Sequence, residues 1–270
     1  MTLRLATIAI CALAAVAIQA MPASAAQCGN TSAGFEAWKV QFTKEARAKG
    51  IGNRGLKALA GTRYATKTIA ADRNQKSFRY SLSKFMQVRG ANAIVSQGRK
   101  RKRVDARLLS SIERKYGVPA GPLLAIHGME TGFGRFMGNA NVVSAIATLA
   151  YDCRRSKFFT GHLYAALQLV DRGIISANTK GAMHGEIGHT QFLPGSVLKY
   201  GVDGDRNGRI DLAGSKADAL ASTANFLRAH GWRPGRGYQP GQANFRAIQG
   251  WNAAGVYQKA IAIMAAQIDQ

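Results

Sequence analysis

"GPLLAIHGMETGFGR", residues 121–135, is the stretch from which the rest of the chain is read. Pro122 suits the first turn of a helix, apolar residues follow, and the run empties into Gly132 and Gly134. At helical spacing Leu123, Ile126 and Glu130 fall at i, i+3 and i+7 and share one face. A lone carboxylate is thus expected on the apolar side of a helix, near its C-terminal end, where two glycines leave room for a ligand. Apolar neighbours disfavour the charged form and raise a carboxyl's pKa. A carboxyl still protonated near neutral pH is what a general acid needs. The alternative is an acid frayed into solvent, which opposes the helix dipole.

Outward from this stretch the chain reads as helix after helix. "FEAWKVQFTKEARAKG" puts Phe35, Trp38 and Phe42 on one face and stops at Gly50. "DARLLSSIERKYG" is a second amphipathic helix, stopped by Gly117 and Pro119. "VVSAIATLAYD", "SKFFTGHLYAALQLVDRG", "GSVLKYG", "KADALASTANFLRAHGW" and "VYQKAIAIMAAQI" follow the same period, while "HGEIGHTQF" reads as a small hairpin or an irregular loop. Neither βαβ alternation nor an internal repeat is found. The expectation is one mainly helical unit, residues 26–270, with two lobes around a groove.

The first 25 residues read as a secretory signal peptide: Arg4, an apolar run, and the small-residue pattern Ala23 to Ala25. A membrane anchor is disfavoured by the short, alanine-rich run. A lipoprotein is disfavoured by Gln27 before Cys28. The mature protein is therefore expected to be periplasmic or secreted. Cleavage would remove Cys11 and leave Cys28 and Cys153, either a disulfide in an oxidising compartment or two free thiols.

The chain carries 37 basic and 14 acidic residues, +23 in all; losing the leader removes only Arg4 and leaves +22. Such an excess favours polyanions. For an exported protein these are the cell wall and other anionic envelope components, and no nucleic-acid motif is present. The densest run, "GRKRKRVDAR" (98–107), reads as the solvated start of the helix that follows or as a binding patch.

The segments "YGVPAGPLLAIHGMETGFGRFMGNANVVSAIATLAYDCRRSKFF", "GEIGHTQFLPGSVLKYGVDGDRNGRIDL" and "ANFLRAHGW" together resemble the lytic murein transglycosylase B family, and "DRNQKSF" (72–78) resembles its N-terminal helical region. The likeness runs from about Phe35 to Tyr257 and keeps the family's motif order. It implies a lysozyme-like helical fold, with an N-terminal helical part over about 30–115 and a catalytic core over about 116–270. It also implies cleavage of the β-1,4 bond between N-acetylmuramic acid and N-acetylglucosamine in peptidoglycan glycan strands. Water takes no part, and a 1,6-anhydromuramyl end is left. Glu130 matches the family's catalytic acid. One carboxylate would protonate the leaving oxygen and then deprotonate the C6 hydroxyl, whereas ordinary glycosidases need two.

By the same resemblance Arg154 and Arg155 would contact the glycan and its peptide, Gln191 would face the cleft, and Trp251, Asn252 and Tyr257 would line the sugar site. Two departures stand out: Ala182 where many members carry Ser, and Glu186 where a small residue is common. Glu186 opens a second reading, a hydrolytic muramidase in which it positions water opposite Glu130. A third reading is a wall-binding protein without activity. His184 and His189 read as polar loop residues rather than metal ligands.

"DGDRNGRIDLAGSKAD" begins like an EF-hand loop, with Asp203, Asp205 and Asn207 at ligand positions, Gly208 at the turn and the Arg209 carbonyl at position seven. Gly214 stands where the closing Glu belongs; the resemblance puts Asp218 in that role, with Asp211 as an alternative. The loop is either a weak structural calcium site or a metal-free Asx turn. Nothing in the sequence requires an organic cofactor or more than a monomer.

Overall fold

The structure is a computed structural model that describes residues 26–74 and 79–270. The expected leader and the end of the "DRNQKSF" motif lie outside the described residues. Helices dominate: α1 (Phe35–Ala48), α2 (Asn53–Ala60), α3 (Thr66–Arg73), α4 (Leu82–Val88), α5 (Ala91–Val104), α6 (Ala106–Tyr116) and α7 (Ala120–Thr131) come first. After them come α8 (Val142–Tyr151), α9 (Ser156–Asp171), α10 (Pro194–Tyr200), α11 (Lys216–Ala229), α12 (Phe245–Trp251) and α13 (Gly255–Asp269). Two short antiparallel strands, β1 (Ala140–Asn141) and β2 (Lys180–Gly181), pair beside α8. Among the described residues no helix is long and apolar enough to cross a membrane.

The helix containing Glu130 differs from its sequence reading. Every residue of α7 except Glu130 is buried, so the helix has no solvent face. A helix that is apolar all round belongs in a core, and α7 is wrapped by α13, α5, α11 and α6. Gly121 makes the closest approach possible: a Cβ there would run into the Ala265 carbonyl and Asp269 of α13. Asp269 in turn accepts a hydrogen bond from the Gly121 N–H (2.8 Å), closing the N-terminus of α7.

The basic run is also placed differently. Residues 98–104 form the last turns of α5, not the start of the next helix. Arg101, Lys102 and Arg103 there complement the negative end of the helix dipole. Arg99 and Lys102 donate to the final carbonyls of α13, at Gln267, Ile268 and Asp269.

The N-terminal helices build a separate aromatic cluster. Phe35, Trp38 and Phe42, one face of α1 as the spacing predicts, stack in series and meet Tyr64, Tyr151 and Tyr164. Cys28 and Cys153 are disulfide-bonded, resolving the open alternative. The bond, with the Gly29 N–H donating to the Tyr151 carbonyl (3.0 Å), ties the start of the described chain to the α8–α9 turn.

Candidate active site

Glu130 is the penultimate residue of α7, which Gly132 ends in a left-handed conformation (φ 56°). The two glycines do not open space for a ligand, contrary to the sequence reading. A Cβ on Gly134 would strike the His189 imidazole, and Gly132 is faced by Phe136. Their service is to the backbone: both have positive φ, which glycine adopts without strain. Phe133, between them, is itself left-handed at 63°.

Two donors converge on one oxygen of Glu130. The Tyr257 hydroxyl donates to Oε1 at 2.6 Å and the Trp251 indole N–H at 3.0 Å. No described residue donates to Oε2. With both donors on Oε1, a neutral carboxyl has Oε2 on which to carry its proton. Burial raises the pKa of Glu130 first; the Tyr257 and Trp251 hydrogen bonds pull it down, and the Glu186 charge pushes it up again. The balance lies above the ordinary carboxylate range. Tyr257 does not line the sugar site as expected from its motif. It is 2% exposed and supports Glu130 from within, its own pKa raised by burial and by that acid.

The cleft beside Glu130 has a volume of about 230 Å³. Its walls bring together Glu186, Gln191, Trp251 and Asn252, all singled out in the sequence. Phe192, Leu193, Ser196 and Phe226 complete it and were missed, because nothing in local spacing separates a residue that lines a cleft from one that packs in the core. Gln191 belongs to a tight turn bridged by Ile187 and Phe192, so "HGEIGHTQF" is indeed a small hairpin-like loop. Its backbone is left-handed (φ 56°), and its amide donates to the Gly188 carbonyl at 2.8 Å.

Three histidines near the site have structural partners. His127, fully buried on α7, meets His189 across a 3.0 Å Nε2–Nδ1 contact. Burial, then the neighbouring His189, lowers the His127 pKa to about 3, so the pair is neutral and bonds helix to loop. The Thr131 hydroxyl adds a hydrogen bond to the His189 carbonyl (2.7 Å). His184 instead lies against Glu186, with Nδ1 3.4 Å from Oε1.

Arg154 and Arg155 do not line the cleft. Both guanidiniums engage Asp72 of α3, a carboxylate only 2% exposed, and Arg155 also covers the Phe159 ring. The arginines remain 45% and 38% exposed, so each keeps a face toward solvent. Neighbouring Arg73 pairs with Asp152 at 2.6 Å. Ala182 is absent from the cleft wall; its N–H donates to the Glu186 carbonyl and closes a turn.

A second acidic group lies at the loop before α11. Asp203, Asp205 and Asp218 bring carboxylate oxygens within 4.8 Å of one another, an arrangement able to hold a metal ion. All three are hard oxygen donors, the type that calcium takes. The loop is also braced internally: Asp218 accepts the Gly204 and Asp205 N–H groups on one oxygen and that of Asp211 on the other. Gly208 makes the turn at φ 84° and donates to Asp203 (2.8 Å). Asp211 is occupied in capping Ala213 and Gly214. Asn207 and Arg209 are exposed on the same loop.

A wrapped helix that ends in a carboxyl of raised pKa above a small polar and aromatic cleft defines a lysozyme-like helical protein. The chain belongs to the transglycosylase SLT domain family, whose model matches residues 34–240. It is 39% identical over 122 residues to membrane-bound lytic murein transglycosylase B of Escherichia coli, an alignment covering 44% of this chain and 34% of that protein's length. SltB3 of Pseudomonas aeruginosa, solved in complex with NAG-anhNAM-pentapeptide, superposes with a TM-score of 0.80 at 30% identity, over 87% of this chain and 79% of that one. The fold is also that of the E. coli lytic transglycosylase SLT35, solved with calcium (TM-score 0.75, 23% identity, 90% and 96% covered).

Proposed function

We propose that the protein is a lytic transglycosylase that cleaves the β-1,4 MurNAc–GlcNAc bond of peptidoglycan and leaves a 1,6-anhydromuramyl end. The observation that carries this reading is the asymmetry of Glu130 on the cleft wall, with two neutral donors on Oε1 and none on Oε2 among the described residues. Oε2–H gives its proton to the glycosidic oxygen, and the bond from that oxygen to C1 breaks. The substrate's N-acetyl group assists at C1. The Glu130 carboxylate, still held by Tyr257 and Trp251, then takes the proton of the C6 hydroxyl as that oxygen closes on C1. The acid is regenerated and no water is consumed. The family membership and the muropeptide bound to SltB3 support the same substrate class.

Trp251, Asn252 and Gln191 would contact the sugars from the cleft wall. Arg154 and Arg155, oriented by Asp72, would offer their exposed faces to peptide carboxylates, which suits a guanidinium. Asp203, Asp205 and Asp218 would hold calcium with the Asn207 side chain and the Arg209 carbonyl, bracing the loop before α11 and taking no part in bond cleavage. The disulfide supports an oxidising, extracytoplasmic location.

The deciding experiment is mass spectrometry of muropeptides released from purified peptidoglycan by residues 26–270. Anhydromuramyl ends are expected. Ordinary reducing ends would instead support the hydrolytic reading, in which Glu186 of the same cleft positions water. Binding without release would leave a wall-binding protein.

A further inference from the structure

The proposed reaction leaves one acid of the cleft unused. Glu186 lines the same cavity as Glu130, and among the described residues the two are the only ionisable side chains on its wall. The turn that presents Glu186 is tightly built. The Ala182 N–H donates to the Glu186 carbonyl (2.9 Å) and the Gly185 N–H to the Ala182 carbonyl (3.0 Å). Gly185 has a φ of 82°, and a Cβ there would run into Ile146.

Its carboxylate is held as firmly as its backbone. Oε2 accepts the His184 backbone N–H at 3.1 Å, and Oε1 lies 3.4 Å from His184 Nδ1. The other face of that imidazole, Nε2, is 3.9 Å from Asp72, the acid clamped by Arg154 and Arg155. Glu186 is thus fastened through one histidine to an ion cluster outside the cleft.

We propose that Glu186 is a functional carboxylate that contacts the sugar at the cleavage point and stabilises, by its charge, the cation that develops at C1 when Glu130 gives up its proton. This rests on the transglycosylase reading of the site. Three observations favour charge stabilisation over activation of water. Each Glu186 oxygen already faces a His184 nitrogen, which fixes the direction of the carboxylate. Among the described residues no Lys or Arg lines the cavity. Its charge also bears on Glu130, helping to keep that acid protonated before the bond breaks. A fixed charge aimed at developing charge in a confined site is an effective form of catalysis.

The test compares Glu186→Gln and Glu186→Asp with the parent, as residues 26–270 on purified peptidoglycan from pH 4 to 9, with product ends read by mass spectrometry. The Gln variant should still make anhydromuramyl ends, with kcat lower by about 10- to 100-fold and KM little changed. Its alkaline limb should move to lower pH. The other groups facing Glu130, namely Tyr257 on α13, Trp251 on α12 and Arg89 after α4, are unaltered, so losing the Glu186 charge lets Glu130 ionise earlier. The Asp variant keeps the charge and should restore the limb and part of kcat. Unchanged kcat and pH profile in the Gln variant would overturn the proposal. So would equal loss in both variants, which marks a structural role. Reducing ends from the parent that vanish in Glu186→Gln would make Glu186 a water-activating base and overturn it too. No release by the parent at all would instead sink the transglycosylase reading beneath it.

Discussion

Glu130 and Asp72 are two acids taken partly or wholly out of water, and they keep opposite company. Asp72 meets two guanidiniums, so its charge is matched where it stands. Glu130 meets a phenol and an indole, neutral donors that crowd one oxygen. Burying an anion without a cation favours its protonated form. The same residue class is therefore a structural anchor in one place and, in the proposed reaction, a proton donor in the other, and the partners decide which.

The sharpest way to break that contrast is Glu130→Gln. It keeps the shape and removes the transferable proton; muropeptide release should fall by about 10³-fold or more while wall binding in a pull-down persists. The anchor side should answer through stability instead. Cys153→Ser frees the turn carrying Arg154 and Arg155 from residue 28 and should cost about 2–5 kcal/mol in denaturant unfolding. Asp72→Asn strands two guanidiniums. Because they are 45% and 38% exposed, the loss should be about 2 kcal/mol, below that of a fully buried pair.

Smaller effects sharpen the comparison at Glu130. Its folded pKa is raised, so the protonated form is the one folding favours. That contribution is complete below the unfolded carboxylate pKa and is lost as pH rises through the folded value. Glu130→Gln cannot lose it, so its melting temperature should exceed the parent's by a margin that widens toward alkaline pH. A margin independent of pH would contradict the raised pKa. Tyr257→Phe removes a donor that stabilises the carboxylate, so the alkaline limb of cleavage should move to higher pH, with a rate loss of about tenfold or less.

Much of the fold was legible in local spacing. The stripe Phe35, Trp38, Phe42 and the apolar periods of α6, α9 and α11 correspond to helices of the structure. The helices α2, α3 and α4 escaped notice because they are seven or eight residues long, too short for a helical period to stand out. The run "GRKRKR" was assigned to the wrong side of a break, since charge alone does not say whether a turn ends or begins a helix; its contacts with the last carbonyls of α13, 166 to 168 residues away, do. At the site, Glu130 came from helical spacing and then motif order, and Gln191, Trp251 and Asn252 from motif order, whereas the interior place of Tyr257 came from neither.

The sequence by itself determined the helical class, the one acid at the end of the "GPLLAIHGMET" run and the family likeness around it, because these depend on spacing along the chain and on motif order. Tertiary structure alone decided that α7 is wrapped on all sides, that Cys28 reaches Cys153, that Asp72 takes the Arg154–Arg155 pair, and that Glu186 shares the cleft with Glu130. Each joins groups distant in the chain, and a proton affinity is set by the burial and partners that such meetings create.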